Sequence, residues 1–532
     1  MPTGFEDWNE TAGPCAELLP PHAGSHNISP PEAAAVKEGK VRRARRQAQE
    51  QTADDGSLFS LRKDQIRAFF DGVAEERDSW IARNRFYYEE DWRYMRFLIP
   101  EGLRILEVGC GTGALLAALK PSSGVGIDLS PKMVEIASQS YPRFEFHVGD
   151  IEDSRTLPRL DGPFDAIIFS DTIGSLQDII VALSNVRPLC GPGSRIVIAY
   201  YSHLWEPILR IARWLGVMMP RPEQNWLSTR DTMGFLDIAG FEAVKCDWRQ
   251  LLPKRWFGLG TFVSRYVAPL PGIRRLALRN YVVARPFMDR NLGQPSASVV
   301  IPCRNEKGNI EAAIRRLPQF CDDLEILFVE GNSTDGTYEE CLRVQNVHSD
   351  LDIKVLKQDG RGKADAVRKG LARARGEIFL ILDADLTVAP EDLPKFYAAI
   401  ASGKGDLING TRFVYPMESG AMPLLNNVAN RAFARFFSYL LNHRVTDTLC
   451  GTKALRADDY RRIANDRERF GDTDPFGDFE LLIGGARINL KFVEIPVSYA
   501  ARRYGSPQIS RFRDGYRLAR LSLLAYRKMK AF

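Results

Sequence analysis

Asp383 and Asp385 are separated by one residue, at the end of the apolar run Phe379-Leu-Ile-Leu382. Side chains alternate along an extended chain, so carboxylates at i and i+2 project to the same side. Two like charges held there repel, and a divalent cation between them relieves the repulsion, because hard cations prefer carboxylate oxygen. Strand ends in open α/β sheets are also where ligands bind. The pair therefore reads as a metal site that holds a pyrophosphate. The plainer alternative is a solvated acidic turn behind a core strand, and the surrounding motifs decide between the two.

A second constellation lies in the first half of the chain. Residues 104–108 have a strand pattern and run into Gly109-Cys-Gly111-Thr-Gly113, followed by a helix over 114–120. Strand, glycine-rich turn and helix make a nucleotide-type βα unit. Glycines let the backbone approach a ligand, and a helix N-terminus offers free N–H groups. The next strand pattern, 124–127, closes on Asp128, 19 residues after Gly109, where a carboxylate can accept from both ribose hydroxyls. A third, 144–149, ends in Asp150-Ile151, beside which an adenine would lie. A fourth, 164–169, ends in Ser170-Asp171, and a fifth covers 195–200.

These elements sit in a chain of 532 residues, enough for about three average domains or two large ones. Apolar content of 45% and charged content of 26% are those of a folded soluble protein. A net charge of +5 is too slight to indicate nucleic acid. The eight cysteines are scattered without a C-x-x-C, which favours reduced thiols over a disulfide framework. The six histidines show no metal-ligand spacing, which argues against zinc. No run reaches the ~18 apolar residues that crossing a bilayer needs. The acidic N-terminus lacks the apolar core of a signal peptide, so the expected setting is the cytoplasm.

Residues 1–57 are poor in apolar side chains and are expected to be disordered, with Arg42-Arg-Ala-Arg-Arg46 a solvated cluster. A first domain is expected over 58–287, a linker over 288–295, a second domain over 296–512 and a basic amphipathic helix over 513–532. Within the first domain, 204–219 and an insertion at 253–278 interleave cations with large apolar residues. Such stretches, and the C-terminal helix, either lie in the interface of the inner membrane leaflet or pack on the domains.

The first series resembles the class I S-adenosylmethionine-dependent methyltransferases: E-V-G-C-G-T-G at 107–113, the Asp closing the second strand and the Asp closing the third match in order. The resemblance implies that Gly109, Gly111 and Gly113 border the methionine part of the cofactor, that Asp128 holds its ribose, and that Asp150 and Ile151 hold its adenine. Glu107 and Ser170 complete the implied set. The fourth strand ends in Ser-Asp-Thr-Ile rather than Asn-Pro-Pro-Tyr, which speaks against methylation of amide or nucleobase nitrogens of that type. Transfer to a hydroxyl wants a general base, and topology offers Asp171, Tyr200, Tyr201 and His203.

The second half resembles family 2 glycosyltransferases of the GT-A fold, especially polyprenyl-phosphate mannose and glucose synthases. The marks are V-V-I-P-C-R-N-E (299–306), S-T-D-G-T (333–337), G-R-G-K-A (360–364), D-A-D-L (383–386), T-D-T-L-C-G-T-K-A-L (446–455), D-F-E-L-L (478–482) and R-Y-G-S (503–506). They imply inverting transfer from a nucleotide-diphosphate sugar. Pro302, Glu306 and Glu330 would line the nucleoside pocket, Asp383 and Asp385 would hold Mg²⁺ or Mn²⁺ on the diphosphate, and Lys363 would add positive charge. The chain departs from the family pattern at Glu330-Gly331, where Asp-Asp is usual, at Thr387, and at Ser506-Pro507. A sugar hydroxyl must lose a proton and needs a base, for which Asp478 is the candidate. A lipid phosphate is already ionised and needs cations, for which Arg412, Arg502 and Arg503 are the candidates.

The whole arrangement resembles bacterial methyltransferase–glycosyltransferase fusions. It implies an α/β protein of two doubly wound domains that transfers a sugar to a polyprenyl-phosphate-type lipid and a methyl group in the same pathway. The alternative is a glycosyltransferase for a glycan hydroxyl acceptor, with the first domain a non-catalytic S-adenosylmethionine-binding scaffold.

Overall fold

Seven strands of the first half form one mixed sheet. They are β1 (Arg104–Val108), β2 (Ser123–Asp128), β3 (Glu145–Val148), β4 (Phe164–Ser170), β5 (Cys190–Tyr201), β6 (Phe241–Arg249) and β7 (Arg279–Pro286). Their order is β3-β2-β1-β4-β5-β7-β6, and β7 runs antiparallel to both of its neighbours. The computed structural model describes residues 61–155, 160–287, 293–418, 424–466, 477–505 and 511–531. The expected disordered segment 1–57, most of the linker and Ser506-Pro507 lie outside the described residues.

The second half forms another seven-stranded sheet. It contains β8 (Ala297–Cys303), β9 (Leu324–Glu330), β10 (Asp352–Lys357), β11 (Ile378–Ile381), β12 (Leu407–Thr411), β13 (Lys453–Arg456) and β14 (Phe492–Pro496), in the order β10-β9-β8-β11-β13-β12-β14. The apolar run of 379–382 is the centre of this sheet: β11 pairs in parallel with β8 and antiparallel with β13. It is buried on both faces, as a continuous apolar strand must be.

Each sheet has a core on either side. In the second sheet one core gathers Val300, Phe379 and Leu481, and the other gathers Ile301, Leu380 and Phe396. Neighbouring residues of one strand thus feed opposite cores, as the period of two requires. The C-terminal helix, Arg511–Met529, turns Leu518, Leu521, Ala525 and Met529 into the first of these cores. Of its two expected placements, it therefore packs on protein.

Both sheets belong to one compact unit, Gln65–Phe532. Buried polar contacts join them. Asp406, just before β12, accepts from Arg195 of β5 at 2.8 Å and from Arg285 of β7 at 2.6 Å. Asn489 donates to the Leu98 carbonyl at 2.8 Å, and Lys245 of β6 donates to the Ala486 carbonyl at 3.2 Å. Arg249 of β6 reaches the carbonyls of Met529 and Lys530 at 3.1 and 2.6 Å.

Candidate active sites

In the second half the register β11–β13 sets Lys453 opposite Ile381. This carries the segment before β13 past the end of β11, where Asp383 and Asp385 follow. The turn bends sharply at Leu386, which has a φ of 53°. The Thr387 amide and hydroxyl both donate to Asp385 Oδ1, at 3.1 and 2.8 Å, and fix that carboxylate.

Each Asp of the pair meets a cation of the chain. Lys363 Nζ lies 2.7 Å from Asp383 Oδ1 and 3.7 Å from Asp478 Oδ2. Burial raises the cost of the Asp383 charge, but Lys363, with Lys453 and Arg412 adding to it, outweighs that cost and holds the carboxyl below its usual range. Arg502 bridges Asp385 Oδ2 at 2.7 Å and Glu306 Oε1 at 2.5 Å, and Asn309 donates to the other Glu306 oxygen at 2.7 Å. Gly451 closes the site: a Cβ there would stand 2.1 Å from Asp383 Oδ2 and 2.4 Å from Lys363 Nζ. Only glycine lets the backbone of 450–452 approach the carboxylate this closely.

The remaining expected residues are placed as follows. Pro302 is half-buried in β8, and Glu330, buried at the end of β9, accepts from the Ser333 amide at 2.5 Å. Asp478 is buried at the start of the helix Asp478–Arg487, with Oδ1 3.0 Å from the fully buried Lys453 ammonium. Arg412 does not stand open to a ligand: its Nε and Nη2 grip Asp447 at 2.6 and 2.8 Å, and Tyr499 lies under the guanidinium. Arg503 is exposed. Sequence reasoning did not assign Gly451, Lys453 or Asp447 to the site, although all three lie in the T-D-T-L-C-G-T-K-A-L segment.

The fit of a divalent cation follows from this donor set. Among the described residues no group of three or more His, Cys, Asp or Glu gathers to cage an ion. Two carboxylates at one strand end suit Mg²⁺ or Mn²⁺, whose other ligands are water and diphosphate oxygens.

In the first half, the turn after β1 is held by backbone and carboxylate together. Asp128 accepts from the Gly111 amide at 2.8 Å and the Ser130 amide at 2.9 Å, one to each oxygen. Each carboxylate oxygen keeps lone pairs for a further donor, as a ribose diol supplies. Burial pushes this carboxyl up, and the two amides pull it back. Gly109, Gly111 and Gly113 all have positive φ. A Cβ at Gly109 would strike Thr172 Oγ1 at 2.3 Å, and one at Gly113 would strike Phe146 at 2.8 Å. Glu107, on β1, is buried with Oε2 lacking any hydrogen-bond partner, and burial pushes its carboxyl up to about 8. An orphaned carboxylate oxygen beside a glycine turn fits a cofactor that carries an ammonium. Asp150 accepts from the Glu152 amide at 2.9 Å, Ile151 is in the core, and Ser170 ends β4.

Residues from the lead-in helices cover this turn, and no motif announced them. Asp71 accepts from Ser130 Oγ at 2.5 Å, Asp78 accepts from Thr112 Oγ1 at 2.7 Å, and Arg77 passes over Gly111. The candidate bases are mostly engaged. Asp171 is clamped by Arg279 and by Arg221 at 3.0 Å; burial disfavours its charge, yet the two guanidiniums hold it below the usual range. Tyr200 OH accepts from Thr232 at 2.9 Å, Tyr201 is buried against Tyr87, and His203 is exposed.

A seven-stranded sheet with a single antiparallel strand beside a glycine turn, followed by a mixed sheet with an acidic pair at its centre, defines a two-domain transferase. Two family models match in that order: a methyltransferase domain over 81–245 and glycosyl transferase family 2 over 298–463. A low-salt glycan biosynthesis hexosyltransferase of Haloferax volcanii is 29% identical over 43% of this chain and 54% of its own length. A dolichyl-phosphate hexose transferase of the same organism is 30% identical over 41% of this chain and 88% of its own. Among solved structures, a SAM-dependent methyltransferase from Thermotoga maritima is 20% identical, with a TM-score of 0.33, over 42% of this chain and 100% of its own. The chain spans about half the length of the first curated relatives it matches, 54% and 58%. The chain belongs to glycosyl transferase family 2 and carries a methyltransferase domain ahead of its glycosyltransferase domain.

Proposed function

We propose that the chain is a bifunctional enzyme. Its second domain transfers a sugar, with inversion, from a nucleotide-diphosphate sugar to a polyprenyl-phosphate-type acceptor. Its first domain transfers a methyl group from S-adenosylmethionine within the same pathway. The observation that carries the sugar reaction is the pairing of Asp383 with Lys363 beside Gly451, and of Asp385 with Arg502. In the proposed reaction the acceptor oxygen attacks the anomeric carbon from the face opposite the leaving diphosphate. Glu306 and Glu330 bind the nucleoside, and Lys363 opposes the charge that builds on the leaving group. A divalent ion on Asp383 and Asp385 would supply further neutralisation of that charge. Asp478 is buried with Oδ1 held by Lys453 and Oδ2 facing Lys363, so its oxygens are engaged rather than turned to an acceptor hydroxyl, which favours an acceptor that is already ionised. Of the three candidate cations, the exposed Arg503 is the one left for its phosphate, since Arg412 is committed to Asp447 and Arg502 to Asp385 and Glu306. The dolichyl-phosphate hexose transferase at 30% identity supports the same acceptor class. This reading sets the enzyme on the cytoplasmic face of a membrane.

For the first domain one observation favours a second reading. Asp171 is locked between two arginines, Tyr200 is hydrogen-bonded and Tyr201 is buried, which leaves only the exposed His203 of the four candidate bases for methyl transfer. A scaffold that binds S-adenosylmethionine without transferring its methyl group accounts for that.

The test is transfer of radiolabelled sugar from a panel of nucleotide sugars to undecaprenyl phosphate with Mn²⁺ or Mg²⁺, counted in the organic phase. One donor should give label, and Asp478→Asn should retain it in part. No label from any donor, with nucleotide binding confirmed, would sink the lipid-phosphate reading in favour of a hydroxyl acceptor. Methyl-labelled cofactor added with the glycolipid then separates transferase from scaffold.

A further inference from the structure

The three basic, apolar-rich stretches of the sequence meet different fates. The C-terminal helix is packed into a core. The other two keep many of their large side chains outside. Leu204, Ile208, Ile211 and Leu215 recur at helical spacing and all face solvent, with Trp214 84% exposed beside them. Leu209 is the buried residue of the helix Glu206–Trp214, packed with Tyr201 and Leu278. In the insertion, Trp256, Leu259, Phe262 and Leu276 are exposed and Phe257 is completely so. The two stretches adjoin, because the Trp205 indole N–H donates to the Leu276 carbonyl at 2.8 Å. Soluble proteins rarely collect so much exposed apolar surface in one place without using it.

The backbone holds the aromatic tip outward. Trp256 and Phe257 have φ of 37° and 53°, a region that bulky residues avoid. The turn is kept tight by Gly260, where a Cβ would stand 1.9 Å from the Lys254 carbonyl oxygen. Strain of this kind persists at working surfaces. Charge says which partner fits. Residues 251–278 contain Lys254, Arg255, Arg265, Arg274 and Arg275 and no acidic residue. Arg255 and Arg275 are exposed, and Glu206 on the adjoining helix is paired with Arg210 at 2.5 Å. Arg265 is paired with Glu90 at 3.3 Å, and the exposed Arg255 and Arg275 rim the apolar tips, a pattern that matches an anionic lipid surface. A second copy of the chain would set these cations against themselves.

We propose that this face, the helix Glu206–Trp214 with the insertion from Trp256 to Leu276, docks the chain on an anionic lipid bilayer. It stands on side chains and charge, whatever either domain transfers. The test is flotation of the full chain with phosphatidylcholine vesicles with and without phosphatidylglycerol, and with no polyprenyl phosphate present. Wild type should float with the anionic vesicles and be released by salt. Trp214→Ser and Phe257→Ser should each lower the partition coefficient by about tenfold, the factor that burial of one large apolar side chain corresponds to. Arg255→Gln with Arg275→Gln removes the charge alone and should weaken flotation while leaving the thermal midpoint unchanged. Absence of wild-type flotation overturns the proposal, as does flotation retained when both aromatics are replaced. So does a concentration-dependent dimer that the same variants dissolve without any lipid binding.

Discussion

Glu107 and Asp128 stand on adjacent strands, and burial pushes both carboxyls upward. Asp128 recovers hydrogen bonds from two amides, whereas Glu107 keeps one oxygen without a partner. The folded chain without cofactor therefore holds a proton on Glu107 up to about pH 8, which the unfolded chain releases near 4.5. The stability contributed by this group is complete below 4.5 and is lost as pH rises through 8. Glu107→Gln should accordingly raise the thermal midpoint relative to wild type above pH 8 and change it little near pH 5. A wild-type–variant difference that does not grow with pH would contradict this. Asp128 was legible because its spacing from the glycines is a local property of a βα unit. The commitment of Arg412 to Asp447 was not legible, because an ion pair forms between residues that only folding brings together.

At the scale of elements, the acidic pair and its cations show what strand register adds. The apolar run at 379–382 and its terminal carboxylates identified the strand and its business end. Antiparallel pairing of β13 with β11 then brought Gly451 against Asp383 and Lys453 against Asp478. Gly451→Ala should test that arrangement. The added methyl displaces the Asp383 carboxylate or the Lys363 ammonium, and sugar transfer should fall by about a hundredfold, as a misplacement of about 1 Å can cause. Binding of S-adenosylmethionine, measured on the same protein by calorimetry, should be unchanged. An equal loss at both sites would instead indicate global misfolding. The antiparallel sense of β7 was not readable either, since the sequence marks a strand's apolar faces but not its direction.

The two sheets are held as one unit, Gln65–Phe532, by contacts that neither sheet makes alone. Asp406 is the centre of one such junction, between Arg195 and Arg285, all three nearly inaccessible to solvent. Removing the carboxylate leaves two buried guanidiniums, and losing one partner of a buried pair costs about 3–5 kcal/mol. Asp406→Ala should lower the denaturant midpoint of both sheets together, followed by fluorescence and by protease protection of each half. Loss confined to the second half would show that the sheets unfold independently. The C-terminal helix belongs to this scale as well: Arg249 of the first sheet holds its last carbonyls, and its apolar side chains fill a core of the second.

Strands, glycine turns and the positions of Asp128, Asp383 and Asp385 were determined by the sequence alone, because apolar period and turn chemistry act over a few residues. Tertiary structure decided which charges meet: Lys363 with Asp383, Arg502 with Asp385 and Glu306, Asp171 with its two arginines. It also decided which of three similar amphipathic stretches is buried. A basic apolar helix carries the same pattern whether it covers a core or faces water. Only the surfaces that folding sets against it determine whether its apolar side chains lose contact with solvent.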